Sequence, residues 1–78
     1  MNFAETLNLL NSGGMVRRAG WNCKGMSLKL QKPDENSKMT LPYIYLEYPK
    51  DSPAYPKGAK VPWTPSQTDI LSEDWEQV

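Results

Sequence analysis

The ten residues from Arg17 to Met26 constrain the fold of this chain more than any other stretch. Strand-forming residues flank them on both sides, and Gly20 and Gly25 allow the backbone to turn where a Cβ atom would clash. The stretch therefore predicts a tight connection between two strands.

The same connection carries candidate binding residues. Its indole, Trp21, can stack on a planar ring, and its cations, Arg17, Arg18 and Lys24, can bind phosphate. The alternative is a hairpin in which the indole covers a small core and the charges are solvated. These residues alone leave both interpretations open.

Length and charge limit the class of protein. Seventy-eight residues predict one domain, residues 1–78, with a core so small that oligomerisation would help to stabilise it. Nine basic residues balance nine acidic ones, which argues against a binder of nucleic-acid polymers. The single cysteine, Cys23, predicts no internal disulfide and a reducing compartment. Because the chain has no long apolar run and no signal-peptide pattern, we expect a soluble cytosolic protein without membrane contact.

The first residues predict a helix from Asn2 to Ser12, with Glu5 completing a capping box and Gly13 following its end. Thr6 is expected to face water. The helix would pack through its apolar residues Phe3, Leu7 and Leu10.

Three strands and a loop are predicted next. Met15–Ala19 is a short strand, and Met26–Gln31 alternates as a half-buried antiparallel strand. Met39–Tyr48 is apolar on both faces, which points to a subunit interface. Pro49–Lys60 is expected to be an exposed loop.

A second capping box, Ser66 with Asp69, predicts a short helical turn whose free N–H groups could meet an anion, although plain capping is the simpler interpretation. Ile70 and Leu71 are expected to pack inward, and Trp75 to belong to a final strand. The fold class is therefore α+β: an N-terminal helix packed on a small, mostly antiparallel sheet.

Two tryptophans outside any apolar stripe, Trp21 and Trp63, are predicted to border a ligand pocket, whereas Trp75 is predicted to be core. The chain contains no histidine, no Cys-x-x-Cys pair and no glycine-rich phosphate motif. A binding module is therefore favoured over an enzyme, and no cofactor is expected.

Two blocks carry a resemblance to a known family. VRRAGWNCKGM, after a short helix, and VPWTPSQTDILSEDW near the C-terminus resemble the Thoeris anti-defence protein family of the second type. These are small proteins of phages and prophages. The resemblance implies a sponge that sequesters cyclic nucleotide immune signals without cleaving them. The implied ligands are cyclic ADP-ribose isomers, with cyclic oligonucleotides for some relatives.

The resemblance also implies a homo-oligomer, typically a tetramer, with pockets between subunits, acting in the cytoplasm of the infected bacterial host. With the residue chemistry, the two blocks give these candidate ligand-binding residues: Arg17, Arg18, Trp21, Asn22, Lys24, Gly25, Met26, Trp63, Ser66, Gln67, Thr68 and Asp69. Two alternatives stay open: a phage protein-interaction module that uses Tyr43, Tyr45 and Trp63, and a nucleotide-hydrolysing enzyme.

Overall fold

The computed structural model describes residues 1–22, 24–53, 55 and 57–78. The prediction that Cys23 forms no disulfide lies outside the described residues. Helix α1 spans Phe3–Asn11, and its capping box is formed. The Glu5 N–H donates to Asn2 Oδ1 at 2.9 Å, and the Asn2 N–H donates to Glu5 Oε1 at 3.1 Å. Gly13 follows the helix with a φ of 93°, which a residue with a Cβ atom rarely adopts. The predicted helix is confirmed.

One sheet is formed by five antiparallel strands: β1 (Val16–Arg18), β2 (Ser27–Gln31), β3 (Tyr43–Glu47), β4 (Lys60–Pro62) and β5 (Trp75–Gln77). Their order across the sheet is β4-β3-β2-β1-β5. A short helix, α2, spans Gln67–Leu71 and lies between the last two strands along the chain. The predicted α+β fold and the connection between β1 and β2 are confirmed, because those two strands pair directly. Among the described residues, no helix has the length and apolar character needed to cross a bilayer.

The strand register places the apolar residues on one face. Val16 lies opposite Leu28, and Leu28 lies opposite Leu46, so that all three point to the same side of the sheet. Helix α1 covers this side and contributes Leu10. Trp75 of β5 completes the buried cluster with 2% of its surface exposed, so its predicted place in the core is confirmed.

The other face of the sheet has no helix over it among the described residues, and it carries the side chains of Tyr43 and Tyr45. Trp63 packs instead against the core. The structure therefore does not bring these three aromatic residues into one surface, as the protein-interaction alternative required.

Three predictions of burial were wrong. Leu7 of α1, which was expected to pack, is 39% exposed. Thr6 is fully buried rather than solvated, because its hydroxyl donates to the Asn2 carbonyl at 2.8 Å and so leaves no unpaired polar group. Leu71 is 76% exposed and Ile70 is 39% exposed. Helix α2 has only five residues, and the side chain that it turns inward is that of Asp69.

Two predicted boundaries also change. The strand expected from Met39 to Tyr48 begins only at Tyr43, and Met39 and Leu41 are exposed before it. The loop expected from Pro49 to Lys60 is not wholly exposed, because Ser52 and Gly58 are buried. Strand β4, which was not predicted, begins at Lys60, the last residue of that expected loop.

A matched pair of substitutions tests this packing. Leu10→Ala should lower the free energy of unfolding by about 2–5 kcal/mol, since it opens a cavity in the buried cluster. Leu71→Ala should change it by no more than about 0.5 kcal/mol, because that side chain is in water. Urea unfolding followed by tryptophan fluorescence measures both, and equal effects would contradict the burial described.

Candidate functional site

The connection between β1 and β2 forms, with β5, a pocket of about 240 Å³. It brings together six of the predicted binding residues: Arg17, Arg18, Trp21, Lys24, Gly25 and Met26. Ala19 and Glu76 complete the lining among the described residues. One wall is an indole, and three side chains of the lining are cations. This combination suits a ligand that carries both a flat ring and negative charge.

Two of the cations lie near the surface. Arg17 Nε donates to Glu76 Oε1 at 2.8 Å across the paired strands, and the two side chains are 44% and 45% exposed. An exposed pair of this kind stabilises a protein by only about 0–1 kcal/mol, so Arg17 can exchange its partner at small cost. Lys24 Nζ donates to the Ala19 carbonyl at 2.8 Å, which holds its ammonium beside the pocket.

Arg18 is held inside the structure. Its Nε donates to Asp74 Oδ1 at 2.8 Å, and its Nη1 donates to Asp69 Oδ1 at 2.9 Å. Its side chain is 14% exposed. A guanidinium already paired with two carboxylates is less available to a ligand phosphate than Arg17 is.

The same ion pairs lower the pKa of both carboxyl groups. Hydrogen bonding from Arg18 lowers the pKa of Asp74 against the opposing effect of burial, and the Gly20 N–H adds to it. Burial alone would raise the pKa of Asp69, but hydrogen bonds from the Ser66 N–H and from Arg18 outweigh it, so that the pKa is lowered. Both groups therefore stay ionised at neutral pH.

The indole of Trp21 is fixed at its edge. Its Nε1–H donates to Asp69 Oδ1 at 3.3 Å, and its ring packs edge-on against Trp75 with centroids 5.5 Å apart. Trp63 is half-buried, with its ring centroid 6.0 Å from Trp75 and 6.2 Å from Phe3. Trp63 is not among the described residues that line the pocket, and its role in binding stays a prediction.

The remaining predicted residues lie outside the described lining. Asn22 is exposed in the connection, and Ser66, Gln67 and Thr68 are exposed at the start of α2. The second capping box is confirmed: the Asp69 N–H donates to Ser66 Oγ, and the Ser66 N–H donates to Asp69 Oδ2, each at 3.0 Å. Two N–H groups of this helix start are thus already paired.

Sequence reasoning missed two features of the site. Glu76 enters the pocket because β5 pairs with β1 and sets it opposite Arg17, a register that the sequence does not reveal. Gly20 approaches Asp74 so closely that an added Cβ would lie 2.6 Å from Oδ2. Among the described residues, no group of three histidine, cysteine or acidic side chains could hold a metal ion.

Comparison with known proteins gives two matches. A family model described as the Thoeris anti-defense 2-like domain matches residues 1–78. A protein named Thoeris anti-defense 2, from Bacillus phage SP01, is 35% identical over 86 aligned positions, which cover 100% of this chain and 94% of the relative.

The lowered pKa values predict how stability depends on pH. A carboxyl group with a lower pKa in the folded state than in the unfolded chain stabilises the fold above the ordinary value, here 3.8, and loses that effect as the pH falls. From Asp69 and Asp74 we expect a constant contribution between about pH 5 and 7, and a decline below about pH 4.

Urea unfolding at a series of pH values measures this dependence. Asp69→Asn should unfold more easily at pH 7 and should show a shallower decline in acid than the unsubstituted protein. If the free energy of unfolding falls with pH in parallel for the two proteins, the loss of stability in acid cannot be assigned to Asp69.

Proposed function

The chain belongs to the Thoeris anti-defense 2-like domain family, and we propose that it is a phage anti-defence sponge. In this proposal it binds cyclic nucleotide immune signals, with cyclic ADP-ribose isomers as the main class and cyclic oligonucleotides as a further one, and holds them without cleavage. An effector that depends on the signal then stays inactive.

The observation that supports this proposal most is the pocket lined by Arg17, Lys24 and Trp21. A cyclic ADP-ribose carries a pyrophosphate and an adenine ring. The guanidinium and the ammonium would bind the phosphate oxygens through charge-assisted hydrogen bonds. The indole would contact the base, a stacking interaction worth about 1–3 kcal/mol in single-strand binding proteins.

The state of the nearby carboxylates favours binding over catalysis. A general acid or base works best with a pKa near the working pH. The pKa values of Asp69 and Asp74 are instead lowered, and both groups are bound to Arg18. They are poor proton donors and weak bases at neutral pH, which supports retention of an intact ligand.

The size of the pocket supports a homo-oligomer. Pockets for small-molecule ligands usually measure about 300–1,000 Å³, so this pocket, with about 240 Å³, would hold only part of such a signal. A second copy could complete the site. The uncovered sheet face and its exposed apolar rim, formed by Met39, Leu41 and Tyr43, offer a surface for assembly. We propose a tetramer.

Light scattering tests the assembly at micromolar concentration. The expected mass is four times the 8.9 kDa of one chain. Leu41→Lys should lower the mass, because the charge enters the apolar rim. Leu71→Lys is the matched control, since its side chain is 76% exposed against 75% for Leu41 but lies on α2. A monomeric mass for the unsubstituted protein would overturn the proposed assembly.

A release assay tests the sponge. The purified protein is incubated with cyclic ADP-ribose, or with an isomer made by a bacterial TIR enzyme, and is separated from free ligand by filtration. The signal should leave the filtrate and return intact after heat denaturation. Return of an altered molecule would identify an enzyme. If neither ligand is depleted from the filtrate, the sponge proposal is contradicted.

Two variants connect the assay to the pocket. Arg17→Ala with Lys24→Ala should raise the Kd roughly ten- to a hundred-fold, the equivalent of losing one charge-assisted hydrogen bond of about 1.5–3 kcal/mol. Lys32→Ala removes an exposed cation beside the C-terminal end of α1, outside the described pocket lining, and should bind normally. Unchanged affinity and salt dependence in the folded double variant would exclude these two cations as phosphate contacts.

A further inference from the structure

Asp69 is buried directly behind the pocket. It is 8% exposed and is not among the residues that line the pocket. Its Oδ1 nevertheless accepts hydrogen bonds from two lining residues, from Trp21 Nε1 at 3.3 Å and from Arg18 Nη1 at 2.9 Å. Any effect of this carboxylate on a ligand would therefore pass through those two side chains.

The carboxylate itself is tightly held. Its Oδ2 accepts the Ser66 N–H at 3.0 Å, and the Ser66 hydroxyl accepts the Asp69 N–H at the same distance. The carbonyl of Asp69 accepts Trp75 Nε1 at 2.9 Å, which ties the residue to the central aromatic side chain of the core. The position of Oδ1 is thus set by the start of α2 and by the core together.

The indole of Trp21 depends on this acceptor. The ring belongs to a connection between strands and is only half-buried. Two of its described contacts are the T-shaped packing against Trp75 and the hydrogen bond to the Asp69 carboxylate. Without Oδ1, the Nε1–H loses its partner and the ring can turn. Immobilising a ring at the moment of binding lowers affinity, whereas a ring already held in place binds at no such cost.

We propose that Asp69 is a positioning residue of the pocket, which sets the orientation of the Trp21 indole through a direct hydrogen bond. Its effect on a ligand rests on the proposed function, because it assumes that the indole contacts the signal. Its effect on the indole does not depend on any ligand.

A double-mutant cycle tests the effect on binding. Asp69→Ala, which removes the acceptor oxygen, should raise the Kd for cyclic ADP-ribose about ten-fold. In a Trp21→Phe background, where no indole N–H remains to be oriented, the same substitution should raise it less than about two-fold. If Asp69 had a merely structural role, the fold-changes in Kd caused by the two single substitutions would multiply in the double variant. Such multiplication would overturn the proposal. Leu10→Ala is the control for lost stability, and it should leave the Kd unchanged at a temperature where the protein is folded.

The indole resonances in a ¹⁵N–¹H spectrum of the ligand-free protein give a second readout. The signal of Trp21 is identified by its absence in Trp21→Phe. It should shift in Asp69→Ala by more than the signal of Trp63, and an unmoved signal would overturn the proposal. If Asp69→Ala does not fold, Asp69→Glu repeats both measurements with the charge kept and the carboxylate displaced. Failure of the unsubstituted protein to bind would contradict the proposed function alone, since the spectrum still decides whether Asp69 orients the indole.

Discussion

The guanidinium of Arg18, held between Asp69 and Asp74, is the interaction on which the rest of the structure depends. It joins β1, α2 and the residue before β5 in a chain whose described buried apolar cluster contains only five side chains. Removing one partner of a buried ion pair is strongly destabilising, because an uncompensated charge is left behind. Here, no described buried side-chain polar atom lacks a partner. The ionic cluster therefore supplies part of the stabilisation that a larger apolar core would supply.

This cluster also explains why the two sequence blocks occur together. The first block supplies the donors Arg18 and Trp21, and the second supplies the carboxylates of Asp69 and Asp74. The pairing serves the fold before any ligand is considered, so the presence of both blocks is not by itself evidence that each residue contacts a ligand. The ionic cluster divides the three cations of the pocket into two classes. Arg18 stabilises the fold, whereas Arg17 and Lys24 remain at the surface of the pocket.

Local signals made much of the fold predictable. The capping boxes, the glycines after α1 and between β1 and β2, and the alternation of β2 each depend on residues close in sequence. The features that were missed depend on distant residues. Leu71 was predicted to lie in the core, but the side chain of α2 that points inward is that of Asp69. Asp69 can be buried because Arg18, which is distant in sequence, donates a hydrogen bond to it. Glu76 could not be assigned to the pocket without the register of β5 against β1. Half of the predicted site residues lie together because they are close in sequence around one connection, and a role in binding stays a prediction for all of them.

The proposed assembly would change the energetics of the exposed pair between Arg17 and Glu76. In a single chain water screens both charges, and the pair is weak. Packing a second copy over the pocket would remove that water and strengthen every charge interaction inside. A phosphate could then take Arg17 only if Glu76 gained another donor, because a buried unpaired carboxylate is costly. The ribose hydroxyls of a nucleotide are donors of the required kind. A ligand that offers phosphate and hydroxyl side by side would therefore satisfy both members of the pair, whereas a simple anion such as inorganic phosphate would satisfy only one.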